Sequence, residues 1–161
     1  MNKYVVMGVS GCGKSSIGSD LAKALNIPFF DGDDYHPKEN VKKMQIGIPL
    51  TDADRQSWLE TLNQLIKDHQ QLVVACSALK PEYREVLRKD CRDLQFVYLK
   101  GDFETIWFRH QQREDHYFNG YGMLLSQFDT LIEPTTTEAF HINIDQSPEE
   151  VVSSILTHIH N

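Results

Sequence analysis

The run Gly8-Val9-Ser10-Gly11-Cys12-Gly13-Lys14-Ser15 satisfies the pattern G-x-x-x-x-G-K-[ST] at every fixed position. It also sits in the context that such a run needs. Tyr4-Val5-Val6-Met7 before it reads as a short buried strand. Ser16 to Leu25 after it reads as a helix with Ile17, Leu21 and Leu25 on one face. Strand, glycine-rich turn and helix in that order restrict the chain to an α/β layout. The backbone N–H groups of the turn curl around phosphate, and the helix N-terminus adds partial positive charge. Gly8, Val9, Ser10, Gly11, Cys12, Gly13, Lys14, Ser15 and Ser16 form the candidate nucleotide cradle. Lys14 can reach the β- and γ-phosphates, and Ser15 can hold Mg²⁺.

The rest of the chain repeats the alternation. Pro28-Phe29-Phe30 reads as a second strand, Leu72 to Cys76 as a third, Phe96 to Leu99 as a fourth and Ile142 to Ile144 as a fifth. Helices are predicted over Lys38 to Met44, over Asp52 to about His69, from Pro81, and from Asp102 to about Arg113. Ser147-Pro148-Glu149-Glu150 reads as a capping box opening a last helix. Apolar strands between helices imply a five-stranded parallel sheet covered on both faces, in one domain spanning 1–161. Between Glu114 and Gly122 the pattern breaks, which predicts a loop over the site, within a lid at approximately 109–134.

In an open α/β sheet, ligands bind beyond the carboxyl ends of the strands. The third strand ends in Cys76 and Ser77, where many phosphate-loop proteins place an Asp for Mg²⁺. The carboxylates must then come from the turn Asp31-Gly32-Asp33-Asp34, where Asp31 and Asp33 can point the same way. One of them would order the metal's waters while the other accepts a proton from the acceptor hydroxyl. Lys42, Lys43, Lys80 and Arg84 are candidates for gripping an anionic acceptor, and Arg109 and Arg113, four apart, for covering the nucleotide. His158-x-His160 reads as a solvated helix end, and Cys12 as a neutral loop residue.

Composition narrows the partners. Sixteen Lys and Arg against 23 Asp and Glu leave a net charge of −7, which argues against a general binder of nucleic acid or anionic membrane. Cys12, Cys76 and Cys91 are odd in number and form no C-x-x-C pair, as expected for reduced cytosolic thiols. The apolar run before Gly8 is too short for a signal-peptide core.

These motifs together resemble the gluconokinase family. The resemblance is carried by Met7 to Ser15, then Asp31-Gly32-Asp33-Asp34 with His36-Pro37, Asn40, Lys43-Met44, Gly47 to Asp52, Asp54-Arg55 and Trp58-Leu59. It continues through Cys76 to Lys80, Tyr83-Arg84, Tyr98 to Asp102, Ser126-Gln127-Phe128 and Glu133-Pro134, covering nearly the whole chain. It implies a P-loop kinase fold and transfer of the ATP γ-phosphoryl group to the 6-hydroxyl of D-gluconate, with Mg²⁺, in a cytoplasmic homodimer. It also implies roles. Lys14 and the loop amides bind phosphate, Ser15 and Asp31 serve the metal, and Asp33 is the base. Lys80, Arg84, His36 and Lys43 hold gluconate, while Arg109 and Arg113 close over ATP. Kinases of other small acids, such as shikimate, are the nearest rival. A non-catalytic nucleotide switch is a more distant one. No Gly-Gly pair is present for a shikimate-type substrate loop, and the guanine motif N-K-x-D and the switch motif D-x-x-G are absent.

Overall fold

The computed structural model describes residues 2–111 and 120–160. β1 (Lys3–Met7), β2 (Phe29–Asp31), β3 (Leu72–Ala75), β4 (Leu94–Lys100) and β5 (Ala139–Asn143) form one five-stranded sheet in the order β2-β3-β1-β4-β5. Every pairing is parallel, and Val5 of β1 lies between Val74 of β3 and Phe96 of β4. β1 and β3 are buried at every residue, which is why they read as unbroken apolar runs rather than alternations. The chain leaves β1 toward β2 and β3 on one side and later toward β4 and β5 on the other. The carboxyl end of β1 is therefore the switch point of the sheet, and the glycine-rich loop starts there.

Seven α-helices are described, α1 (Lys14–Leu25), α2 (Lys38–Gln45), α3 (Asp52–Asp68), α4 (Pro81–Arg88), α5 (Phe103–Gln111), α6 (Gly120–Thr130) and α7 (Pro148–His160), with a 3-10 turn over Gly32–Tyr35. Their starts follow from local chemistry. Thr51 and Asp54 cap α3 reciprocally, and Ser147 and Glu150 do the same for α7. The Asp102 carboxylate accepts from the Thr105 N–H at 2.7 Å before α5, and Pro81 fills the first position of α4. None of the described helices is long and apolar enough to cross a membrane.

Two expectations are corrected. β5 begins three residues earlier than the Ile142 reading, at Ala139. It is an edge strand, so Phe140 and His141 stay partly exposed and blur the apolar run. The loop expected up to Gly122 gives way at Gly120, where α6 begins. Two glycines weaken this helix by roughly 1 kcal/mol each relative to Ala, but Met123 and Leu124 are buried against the core and offset that cost. The remainder of that expected loop, and Arg113, lie outside the described residues.

Candidate active site

The glycine-rich loop needs its glycines. Gly8, Gly11 and Gly13 have φ of +151°, +85° and +91°, values that side chains with a Cβ resist. A Cβ on Gly8 would also lie 2.7 Å from Cys12 Sγ and 3.1 Å from the Leu99 carbonyl oxygen. The loop thus closes against the end of β4 and delivers Lys14 at the start of α1. One carboxylate ties the loop to the next strand end. Asp31 Oδ2 accepts from Ser15 Oγ at 2.9 Å, and Oδ1 accepts from the Asp33 N–H at 3.0 Å. Gly32 between the two acids lies so close to β3 that a Cβ would strike the Ala75 carbonyl oxygen. Burial pushes the Asp33 carboxyl above the usual range, with Lys14 pulling the other way. A raised pKa makes a carboxylate a better proton acceptor. The Ser15 hydroxyl and Asp31 carboxylate are adjacent hard oxygens, a donor set that suits Mg²⁺ completed by phosphate and water oxygens.

Lys14, Asp33 and Ser77 line one cleft together with His36, Arg55 and Trp58, with Met123, Ser126 and Gln127 of α6, and with Met44, Pro49 and Leu50. His36 stacks on Trp58 with ring centroids 4.0 Å apart, and Trp58 Nε1 donates to the Gly32 carbonyl at 2.8 Å. Burial, assisted by Arg55, lowers the His36 pKa to about 4, so the ring is neutral near pH 7. Asn40 Nδ2 donates to the Asp54 carbonyl and faces His36 Nδ1 at 3.2 Å, which assigns the ring proton to Nε2. Arg55 Nη1 donates to Tyr83 Oη at 2.9 Å, and Tyr83 donates in turn to the Asp52 carboxylate. This chain holds the Arg55 guanidinium at the cleft wall.

The structure therefore brings together the loop residues Gly8 to Ser16, Asp31, Asp33 and His36. The other expected cations are placed elsewhere. Lys43 Nζ pairs with Asp54 at 2.8 Å, and Lys80 Nζ pairs with Asp52 at 3.0 Å. Neither lines the cleft, because the acidic first turn of α3 engages both. Arg84 does not line the cleft either. It is 1% exposed and donates to the Ala78 carbonyl at 2.8 Å, the Ile132 carbonyl at 3.0 Å and the Glu138 carboxylate at 3.1 Å. With those partners it belongs to the scaffold behind the cleft. Arg109 donates to the Ile144 carbonyl beyond β5, on the opposite flank of the loop from the acceptor cleft. Arg55, Trp58 and Gln127 were given no role by sequence reasoning. All three stand in motifs that carry the resemblance.

Comparison with known proteins gives a consistent result. The family described as shikimate kinase matches residues 10–160. The thermoresistant gluconokinase of Escherichia coli (strain K12) is 44% identical over 159 residues, covering 95% of this chain and 90% of the relative. The crystal structure of a gluconokinase from Sinorhizobium meliloti 1021 superposes with a TM-score of 0.92 at 39% identity, covering 99% of this chain and 91% of that one. A shikimate kinase from Aquifex aeolicus shares the fold at a TM-score of 0.69 but only 20% identity, covering 98% of this chain and 96% of that one.

Proposed function

This chain belongs to the gluconokinases, within the wider shikimate-kinase family of P-loop proteins, and on that premise we propose that it is an ATP:D-gluconate 6-phosphotransferase. The observation that carries this reading is the cleft itself. It brings Lys14 and Asp33, a phosphate-binding cation and a carboxylate base, together with Arg55, which suits the carboxylate of a sugar acid. The shikimate alternative rests on the broader family match and on a fold likeness at 20% identity, against 44% identity to a gluconokinase.

The loop amides and Lys14 bind the phosphates of ATP, and Lys14 offsets charge developing on the transferred group. Asp33 takes the proton from the gluconate 6-hydroxyl. The bond from O6 to the γ-phosphorus forms as that from phosphorus to the bridging oxygen breaks, leaving 6-phospho-D-gluconate and ADP. Ser15 and Asp31 would hold Mg²⁺, which, when bound, supplies charge neutralisation on the phosphates. His36 and Trp58 give the acceptor a flat, largely dry wall. Lys43 and Lys80 act through Asp54 and Asp52, shaping the turn that presents Arg55.

The same proposal includes a cytoplasmic homodimer without nucleic-acid or membrane partners. Three buried cysteine thiols without a disulfide support the compartment. Exposed Phe108, Tyr121 and Leu125 on α5 and α6 support association. The test is ADP release measured with gluconate, shikimate, glucose and nucleoside monophosphates as acceptors. Gluconate alone should stimulate it. Equal stimulation by glucose would remove the carboxylate from recognition.

A further inference from the structure

Gln127 stands where the phosphate loop meets the acceptor cleft. Its Oε1 accepts from the Ser10 backbone N–H at 2.6 Å. Because a backbone N–H can only donate, the carboxamide orientation is fixed: oxygen toward the loop, Nε2 with its two N–H groups turned away from it. No described residue accepts from Nε2. Gln127 lines the cleft beside Lys14, Asp33, Ser77 and Ser126.

The position of this side chain is firm. Leu124 on the same helix is fully buried. Just beyond the helix, the Ile132 N–H donates to the Leu79 carbonyl at 2.8 Å, tying the segment to the loop after β3. These contacts hold the backbone of Gln127 at the cleft, and the Ser10 N–H holds its side chain there. The charged work inside the cleft belongs to Lys14, Arg55 and Asp33. A neutral N–H pair set among them matches a neutral oxygen, and a sugar acid carries several along its chain.

We infer that Gln127 is a specificity residue for the acceptor: Oε1 fixes the Ser10 peptide of the phosphate loop, and Nε2 donates to one hydroxyl oxygen of the polyol chain. One side chain then registers the acceptor against the loop that holds the phosphoryl donor. The inference rests on the proposed gluconate kinase reading, which fails separately if wild-type protein shows no gluconate-dependent ADP release.

The test compares kcat/KM for gluconate and for its four monodeoxy analogues lacking a hydroxyl at C2, C3, C4 or C5. Wild type should disfavour one analogue by about tenfold, the size of a lost hydrogen bond in a desolvated site. Gln127→Met, similar in volume but without the donor, should disfavour that analogue less than about twofold and treat the others as wild type does. Gln127→Leu, which also lacks the donor, should show the same flattening if the Met variant folds poorly. An unchanged discrimination profile would overturn the inference. So would equal flattening at all four positions, which reports a loosened cleft rather than one bond.

Discussion

Arg84 Nη1 donates to the carbonyl oxygen of Ala78 at 2.8 Å, and Ala78 holds a left-handed backbone with φ +48°. A non-glycine residue pays strain of about 1 kcal/mol or more there. The buried guanidinium of α4 ties that turn, between β3 and α4, to the Ile132 carbonyl and the Glu138 carboxylate, between α6 and β5.

Arg84→Ala should therefore destabilise the fold by at least about 2 kcal/mol, because it takes the donor from the Ala78 and Ile132 carbonyls while Arg88 still pairs with Glu138. Arg84→Lys should recover little, since one ammonium cannot reproduce the fork. Urea unfolding measures the loss, and the KM for gluconate of the remaining folded protein should stay within about twofold of wild type. A large rise in that KM with normal stability would return Arg84 to the substrate.

The contrast between Arg84 and Arg55 marks how far the sequence could be read. The glycine-rich loop, Asp31 and Asp33 were legible because their chemistry depends on spacing along the chain, and the order of apolar runs fixed the sheet. Arg55 and Arg84 both look like helix cations. Only tertiary packing buries one behind the cleft and, through Tyr83, aims the other into it. The ion pairs of Lys43 and Lys80 were illegible for a related reason: Asp54 and Asp52 approach them only when α3 is docked. α6 was missed because Gly120 and Gly122 signal a break locally, while the burial of Leu124 is a long-range effect.

Lys14→Ala should lower kcat by about 10²–10³, the roughly 3–4 kcal/mol expected for removing one group that stabilises developing phosphoryl charge. Lys14 is only partly buried, so the melting temperature should change little. Near-normal turnover in a folded variant would contradict the assigned role.

Arg55→Ala should lower kcat/KM for gluconate by about 10²-fold, close to the 1.5–3 kcal/mol of a charge-assisted hydrogen bond. The change should appear mainly in KM for gluconate and leave KM for ATP nearly unaltered. Tyr83→Phe, which removes the hydroxyl that holds Arg55, should move the same constant in the same direction by a smaller factor. Loss confined to ATP binding would place Arg55 on the nucleotide instead.

His36 should make stability fall on mild acidification. Its side chain is 3% exposed, stacked on Trp58. Asp33 Oδ1, 3.8 Å from Nε2, would favour an imidazolium, but burial and Arg55 outweigh it and bring the pKa from 6.5 to about 4. The unfolded chain takes up its proton first as pH drops, so the neutral ring's contribution is complete above pH 6.5 and is lost progressively down to pH 4. Between pH 8 and pH 5 this one group should cost about 2 kcal/mol of unfolding free energy. His36→Phe can keep the stack on Trp58 while removing the titration. Urea unfolding of both proteins across that range isolates the difference. The variant should lose about 2 kcal/mol less than wild type between the two pH values. Parallel profiles would mean that His36 is protonated equally in the folded and unfolded chain, and the dry wall assigned to it would then be open to water.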